Sequence, residues 1–287
     1  MSPFVLARAP QLASKRSVTR VMGLVLLALL PAALAQVWLL GAGFGFQILL
    51  AVAFGLGFEA LMLKLRGRPM RPFLTDLSAP LTAVLLALLL PPLTPWWMLC
   101  LGLFAALVLA KHLYGGLGDN LFNPAMVGYA VLLIGFPSHF SQAGGDGPWF
   151  AGKPGWIAFL YALGGVCLLW KKIIPWHTPL AMLGGAAVAE LGFRFAGAQA
   201  PAFALQELFS GTLLLAAFFI VTDPVTGCLS PRGRIFFGAG AGLLTVLLTR
   251  WASTPDGLPF AVLLMNCAAP WLDGHTRPAR HGPEPQP

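Results

Sequence analysis

Apolar stretches of about twenty residues recur along this chain, and that is the length a helix needs to cross the hydrocarbon of a bilayer. The first, near residues 20–40, reads RVMGLVLLALLPAALAQVWLL. Others fall near 42–63, 77–92, 95–111, 123–137, 154–170, 177–194, 207–222, 234–250 and 257–272. Pro and Gly gather at the junctions, at Pro91-Pro92, Pro137, Pro175, Pro224, Pro255 and Pro270. The runs lack the alternation of a membrane β-barrel. Only 10% of the 287 residues are Asp, Glu, Lys or Arg, against 57% apolar, whereas a soluble domain carries about 25% charged residues. The expected fold is an all-α polytopic membrane protein with about ten transmembrane helices.

Where the charges fall sets the orientation. With an even number of spans and a cytoplasmic N-terminus, the cytoplasmic side holds Arg8, Lys15, Arg16, Arg20, Lys64, Arg66, Arg68, Arg71, Lys111, Lys171, Lys172, Arg232, Arg234, Arg277 and Arg280. The outer side holds Lys153, Arg194 and Arg250. Such a bias is the positive-inside signal, and both termini are expected on the cytoplasmic side. The net charge of +8 is therefore topogenic, with lipid and not nucleic acid as the partner. The first apolar run is too long for a cleaved signal peptide, and no small-residue cleavage site follows it. Cys100, Cys167, Cys228 and Cys267 are scattered without a CxxC pair, so no metal or iron–sulfur site is expected.

Two stretches echo each other. Residues 77–92 read LSAPLTAVLLALLLPP and 209–224 read FSGTLLLAAFFIVTDP, with Ser78 matching Ser210 and Pro92 matching Pro224. Chance similarity between leucine-rich segments is one explanation. The other is a duplication of five spans, an odd number that would make the halves inverted repeats, with a ligand site at their interface near broken helices. The corresponding division is a cytoplasmic segment 1–19, a first five-helix repeat 20–152, a second 153–272 and a disordered cytoplasmic tail 273–287.

Three polar constellations interrupt the apolar background. The first is Lys111-His112-Leu113-Tyr114-Gly115-Gly116-Leu117-Gly118-Asp119-Asn120-Leu121-Phe122-Asn123-Pro124, expected at the cytoplasmic surface. Its glycines permit close backbone approach to a ligand. Asn120 and Asn123 each carry a donor and an acceptor, which suits a flat heterocycle of mixed polarity; equally, Asn123 with Pro124 behind it reads as a helix N-cap. The second is Val221-Thr222-Asp223-Pro224-Val225-Thr226-Gly227, followed by Arg232 and Arg234. Asp223 and Thr226 could serve a ligand or cap a turn. The third, Thr75-Asp76-Leu77-Ser78-Ala79-Pro80-Leu81-Thr82, places Ser78 and Thr82 at the start of a short segment, as site residues or as a cap. Glu59 and Glu190 are the carboxylates best placed within apolar runs, a functional hypothesis by default. His177, Trp96 and Trp97 fit an interfacial belt. There is no catalytic triad, phosphate loop or paired-carboxylate motif, so any redox or group-transfer chemistry belongs to a cofactor.

Tyr114-Gly115-Gly116-Leu117-Gly118, Asn120 and Phe122-Asn123-Pro124-Ala125-Met126-Val127-Gly128-Tyr129, together with Thr222-Asp223-Pro224-Val225-Thr226 and Gly233-Arg234, resemble the signature of the D subunit of the Rnf electron-transport complex. The B subunit of the sodium-pumping NADH:quinone reductase is similar. The resemblance runs from about residue 20 to about residue 280. It implies a ten-helix inner-membrane subunit of a redox-driven ion translocase, partnered by the A, B, C, E and G subunits, in which electron flow between ferredoxin and NAD is coupled to Na⁺ or H⁺ transfer. It also implies a noncovalent riboflavin, assigned here to Asn120, Asn123 and Gly118, with Asp223, Thr226, Ser78 and Thr82 as further candidates.

The family also carries FMN, esterified through its phosphate to Thr in a D-G-x-S-x-A-T type motif of the outer loop between the fifth and sixth spans. Here that loop is short, SHFSQAGGDGPWFAG over 138–152. Asp146-Gly147 remains, but no Thr follows to supply the hydroxyl. Covalent FMN is therefore expected to be absent, with Thr212 in Ser210-Gly211-Thr212 as the fallback attachment. A small-solute transporter or channel, and a scaffold subunit without redox function, stand as the other readings.

Overall fold

The computed structural model describes residues 18–143, 155–195, 210–251 and 255–276. Among these it is all-α. In chain order the helices are α1 (Val18–Leu40), α2 (Ala42–Leu65), α3 (Met70–Leu74), α4 (Ser78–Leu89), α5 (Trp96–Leu103), α6 (Pro124–Gly135), α7 (Pro137–Ala143), α8 (Gly155–Trp170), α9 (His177–Phe195), α10 (Gly211–Leu215), α11 (Pro231–Trp251) and α12 (Leu258–Thr276). α5 continues as a π-helix over Phe104–His112, and α10 over Ala216–Ile220.

The expectation of about ten transmembrane helices in two inverted five-helix repeats is overturned. Among the described residues, three helical stretches are long and apolar enough to cross a membrane: Val18–Leu40, Ala42–Leu65 and Met70–Leu89. Trp96–His112, Pro124–Gly135, Gly155–Trp170 and Gly211–Ile220 are apolar but shorter. The reason is geometric. At 1.5 Å per residue, twelve residues of α6 reach about 18 Å, well short of a hydrocarbon core of about 30 Å. Composition alone counted the turns around such helices as part of a span. The third long stretch is itself interrupted, because Leu77 takes φ 64° between α3 and α4. α9, α11 and α12 match a span in length, but their Gly, Thr and charged residues make them less apolar.

Breaks in the helices are closed by buried polar side chains. The chain leaves α4 at Leu90 and turns through Pro91–Pro95. Gln47 of α2 lies against that turn and donates to the Ala87 and Pro91 carbonyls at 3.4 and 3.1 Å. It also accepts the Thr94 N–H at 3.1 Å. Backbone groups that the break would leave orphaned in an apolar interior are thereby satisfied.

Among the described residues, one large core runs from Val25 in α1 to Ala269 in α12. α2 lies along α4, α1 along α8, and α11 between α9 and α12. Glycines set the closest approaches: a Cβ on Gly242 would stand 2.0 Å from the Met182 carbonyl oxygen, and one on Gly185 2.1 Å from that of Ala239. Large apolar side chains cover the outside, among them Trp38, Phe46, Trp170, Phe195 and Trp251, a surface suited to lipid. The expected tail 273–287 begins inside α12, which extends to Thr276. Segment 1–17, most of the short loop at 138–152 with its Asp146-Gly147, and residues 277–287 lie outside the described residues.

Candidate functional site

Both polar loops follow a widened helical turn. The N–H groups of Leu113 and Gly116 reach back five residues, to the carbonyls of Val108 and Lys111 at 3.0 Å each. The Val221 N–H does the same to Ala216 at 3.0 Å. Such π turns insert a residue into the helix and recur at functional sites. After the first, the backbone takes positive φ at Gly115, Gly116 and Gly118, at 134°, 111° and 100°. A Cβ at Gly115 would also strike the Asp119 carboxylate at 2.6 Å, whereas at Gly118 it would meet nothing within 4 Å. Arg66 and Arg68 hold the near side of the loop, donating to the His112 and Gly115 carbonyls at 2.8 and 2.9 Å.

The loop ends at the N-terminus of α6, where Asn123 acts as the cap. Its Oδ1 accepts the Met126 N–H at 3.3 Å, with Pro124 at the first helical position. The same residue joins the two loops. Its backbone N–H donates to Asn266 Oδ1 at 3.0 Å, and its Nδ2 lies 3.4 Å from the Ile220 carbonyl. Asn266 Nδ2 in turn donates to the Thr226 carbonyl at 3.1 Å. Asn120 organises its own loop, accepting the Gly118 N–H at 3.4 Å and donating to the Phe122 carbonyl at 3.1 Å. Both asparagines are buried, and each retains amide capacity beyond these bonds.

In the second loop, Asp223 accepts from the Val225 N–H at 3.1 Å and the Thr226 hydroxyl at 3.0 Å. Burial pushes the Asp223 carboxyl up, and these two hydrogen bonds pull it partly back. The fold thus joins Asn123 to the second loop, directly at Ile220 and through Asn266 at Thr226, while Gly118 and Asn120 bond within the first loop.

Ser78 belongs to a different cluster. Its hydroxyl accepts from Lys111 Nζ at 2.8 Å and donates to Asp76 Oδ1 at 2.6 Å. Thr82 lies one turn further along α4, half-buried. Thr212 sits at the start of α10, whose N-terminus is capped by the Ser210 hydroxyl through the Leu213 N–H at 3.1 Å. Of the two carboxylates singled out within apolar runs, Glu59 meets Lys111 Nζ at 2.8 Å. Glu190 receives a two-pronged contact from Arg250, at 3.1 and 2.7 Å.

The residue that sequence reasoning missed is Asn266. Its signal was present, since it is a polar side chain in the middle of the apolar run 257–272 and such residues carry functional weight by default. Asp273 is a second omission. It accepts from the Leu229 and Ser230 N–H groups at 2.8 and 3.0 Å and ties the second loop to α12.

The family whose sequence profile matches the chain is described as the NQR2, RnfD, RnfE family, and the matches cover residues 5–154 and 149–282. A protein from Pseudomonas aeruginosa (strain LESB58), named as the D subunit of an ion-translocating oxidoreductase complex, is 41% identical over 313 aligned positions, covering 91% of each chain. Proteins of the same name align with 97% of this chain and 99% of their own length: that of Aeromonas hydrophila is 40% identical over 346 positions, and that of Citrobacter koseri 39% over 347. An alignment of 346 positions exceeds the 287 residues available here, so the Aeromonas protein has stretches without a counterpart in this chain. The two profile matches overlap at residues 149–154, at the end of the short loop. With both halves matched, the chain belongs to the NQR2, RnfD, RnfE family.

Proposed function

We propose that this chain is the D subunit of an Rnf-type, redox-driven ion translocase of the bacterial inner membrane, where electron transfer between ferredoxin and NAD is coupled to Na⁺ or H⁺ movement. One observation carries the reading: relatives that bear the D-subunit name align along nearly their whole length at about 40% identity. The chain works within an assembly that includes the A, B, C, E and G subunits. It contributes a cofactor-binding frame and no self-contained catalytic side chains.

The loop junction favours a noncovalent riboflavin. That group would supply one- and two-electron redox chemistry that no side chain here provides. Gly118 offers open space on a backbone that only glycine adopts without strain. Asn120 and Asn123 offer mixed donors and acceptors in a buried setting. Asp223 and Thr226 close the opposite side and keep the second loop in register.

Covalent FMN is absent on this reading. The attachment motif of the family lies in a loop that here contains no Thr.

The test is a cofactor inventory of the purified complex. Riboflavin should be released on denaturation, and the intact mass of the chain should match its sequence without an added FMN. Asn120→Leu should cut the riboflavin content at least tenfold while the chain still inserts in the membrane. A colourless complex would favour a solute channel or a bare scaffold, and unchanged flavin in Asn120→Leu would remove the site assignment. A mass increase of one FMN would reverse the covalent part and direct the search to Thr212.

A further inference from the structure

At the root of the glycine-rich loop lies a buried ionic cluster that the flavin site does not use. Lys111 Nζ is 2.8 Å from Glu59 Oε2 and 2.8 Å from Ser78 Oγ. Asp76 Oδ1 accepts from the Ser78 hydroxyl at 2.6 Å and from the Ser78 N–H at 2.8 Å. Glu59, Asp76, Ser78, Lys111 and His112 are all buried, Glu59 and Lys111 to within 2% of complete. His112 is only 3% exposed. Its Nε2 comes to 3.1 Å from Glu59 Oε2, but neither ring nitrogen has a hydrogen-bond partner.

The charges do not balance without His112. Glu59 and Asp76 contribute two negative charges and Lys111 one positive. A net charge held in a low-dielectric interior is strongly unfavourable unless compensated. The elements packed around His112 supply no further buried cation. α6 carries no charged residue, and neither does α5 before its π-helical extension. Arg66 and Arg68 reach the His112 and Gly115 carbonyls from just beyond α2, but Arg66 is exposed, Arg68 is half-buried and Arg71 of α3 is exposed, so solvent screens all three. The missing positive charge can come from one proton on the imidazole.

We propose that His112 is a proton-binding site of this subunit, with Glu59 as its counter-ion and Lys111, Ser78 and Asp76 holding that carboxylate in place. The proposal rests on the reading of the chain as part of an ion translocase and names a group that takes up a proton there. The step is simple to balance. A proton from water on the loop side adds to an imidazole nitrogen, the imidazolium N–H turns toward Glu59, and the cluster becomes neutral. Release reverses the step, and no electron moves.

The experiment is a histidine titration by nuclear magnetic resonance on the full chain in detergent. The chain has five histidines. Replacing His139, His177, His275 and His281 by Gln leaves His112 as the single labelled ring and leaves the cluster untouched. Its ring resonances should move reversibly with pH. Glu59→Gln removes the counter-ion and should lower the midpoint by at least one pH unit, a tenfold loss in proton affinity. Because that variant leaves Lys111 unpaired and can fail to fold, Asp76→Asn is the second arm, with a shift in the same direction. A ring that keeps one protonation state from pH 5 to pH 9, or a midpoint that neither variant moves, would overturn the proposal. The measurement needs no flavin, so a colourless chain with a titrating His112 refutes the flavin assignment alone. A flavin-loaded chain with a silent His112 refutes the proton site alone.

Discussion

The amide of Asn123 caps α6 and reaches the Ile220 carbonyl, while its backbone N–H holds Asn266. A substitution at Asn123 therefore tests capping, loop joining and ligand contact together, at a stability cost of about 1–2 kcal/mol from the lost cap alone. Asn120 bonds only within its own loop, which is why it is the cleaner probe of flavin binding. A different pair acts near the start of α12. Asp256 Oδ1 accepts the Leu258 N–H at 2.8 Å, and Tyr129 donates to Oδ2 at 2.9 Å. Burial pushes the Asp256 carboxyl up to about 6 from an ordinary value of 3.8, although both hydrogen bonds pull it down. The folded state then binds the proton more tightly than the unfolded chain does. Stability should fall as the pH rises from about 4 to about 6 and level off above, by about 3 kcal/mol in all. Thermal unfolding in detergent across that range should show the fall in the native chain and not in Asp256→Asn.

Helix pairs are held by absence of side chain as much as by its presence. Gly238 and Gly242 on α11 face the Thr178 and Met182 carbonyls of α9, where an added Cβ would lie 2.4 and 2.0 Å away. A backbone oxygen cannot swing aside as a side chain can, so Gly242→Ala forces the helices apart and should cost about 2–3 kcal/mol. Gly184, also on α9, has nothing within 4 Å of the added atom. Gly184→Ala should be neutral or stabilise the chain by up to about 1 kcal/mol, because alanine favours helix. Opposite signs in circular-dichroism melts are expected, and equal destabilisation would refute the packing account. The same scale explains the miscounted spans. Hydropathy registers the apolar residues of α4, α6 and α10 but not where their hydrogen-bond ladders stop. Gln47 illustrates this, because a glutamine inside an apolar run signals a buried partner without naming the turn at Pro91 that it satisfies.

Across the whole molecule, residues 143 positions apart meet where Asn123 binds Asn266, and one core among the described residues connects α1 to α12. The loops at 113–122 and 221–227 must therefore open toward the same side of the membrane. Cysteines placed at Asp119 and Arg232, both exposed, should react with an impermeant thiol reagent from the same side, and the charge bias predicts the cytoplasmic one. Labelling from opposite sides would contradict the junction. Much of this was legible beforehand. The helical class, the membrane setting, the glycine-rich loop and the Asn123 cap follow from local chemistry, since apolarity, left-handed glycines and an Asn-Pro start act over a few residues. Glu59 could be recognised as a buried carboxylate, but not its pairing with Lys111 and Ser78, and Asn266 could be seen as polar without its target. Residue type determined by itself that this chain is apolar, helical and marked by two polar loops. Tertiary structure alone decided where the helices break, which loops touch and which charges balance, because those outcomes depend on satisfying backbone and ionic groups across distances along the chain that no local pattern spans.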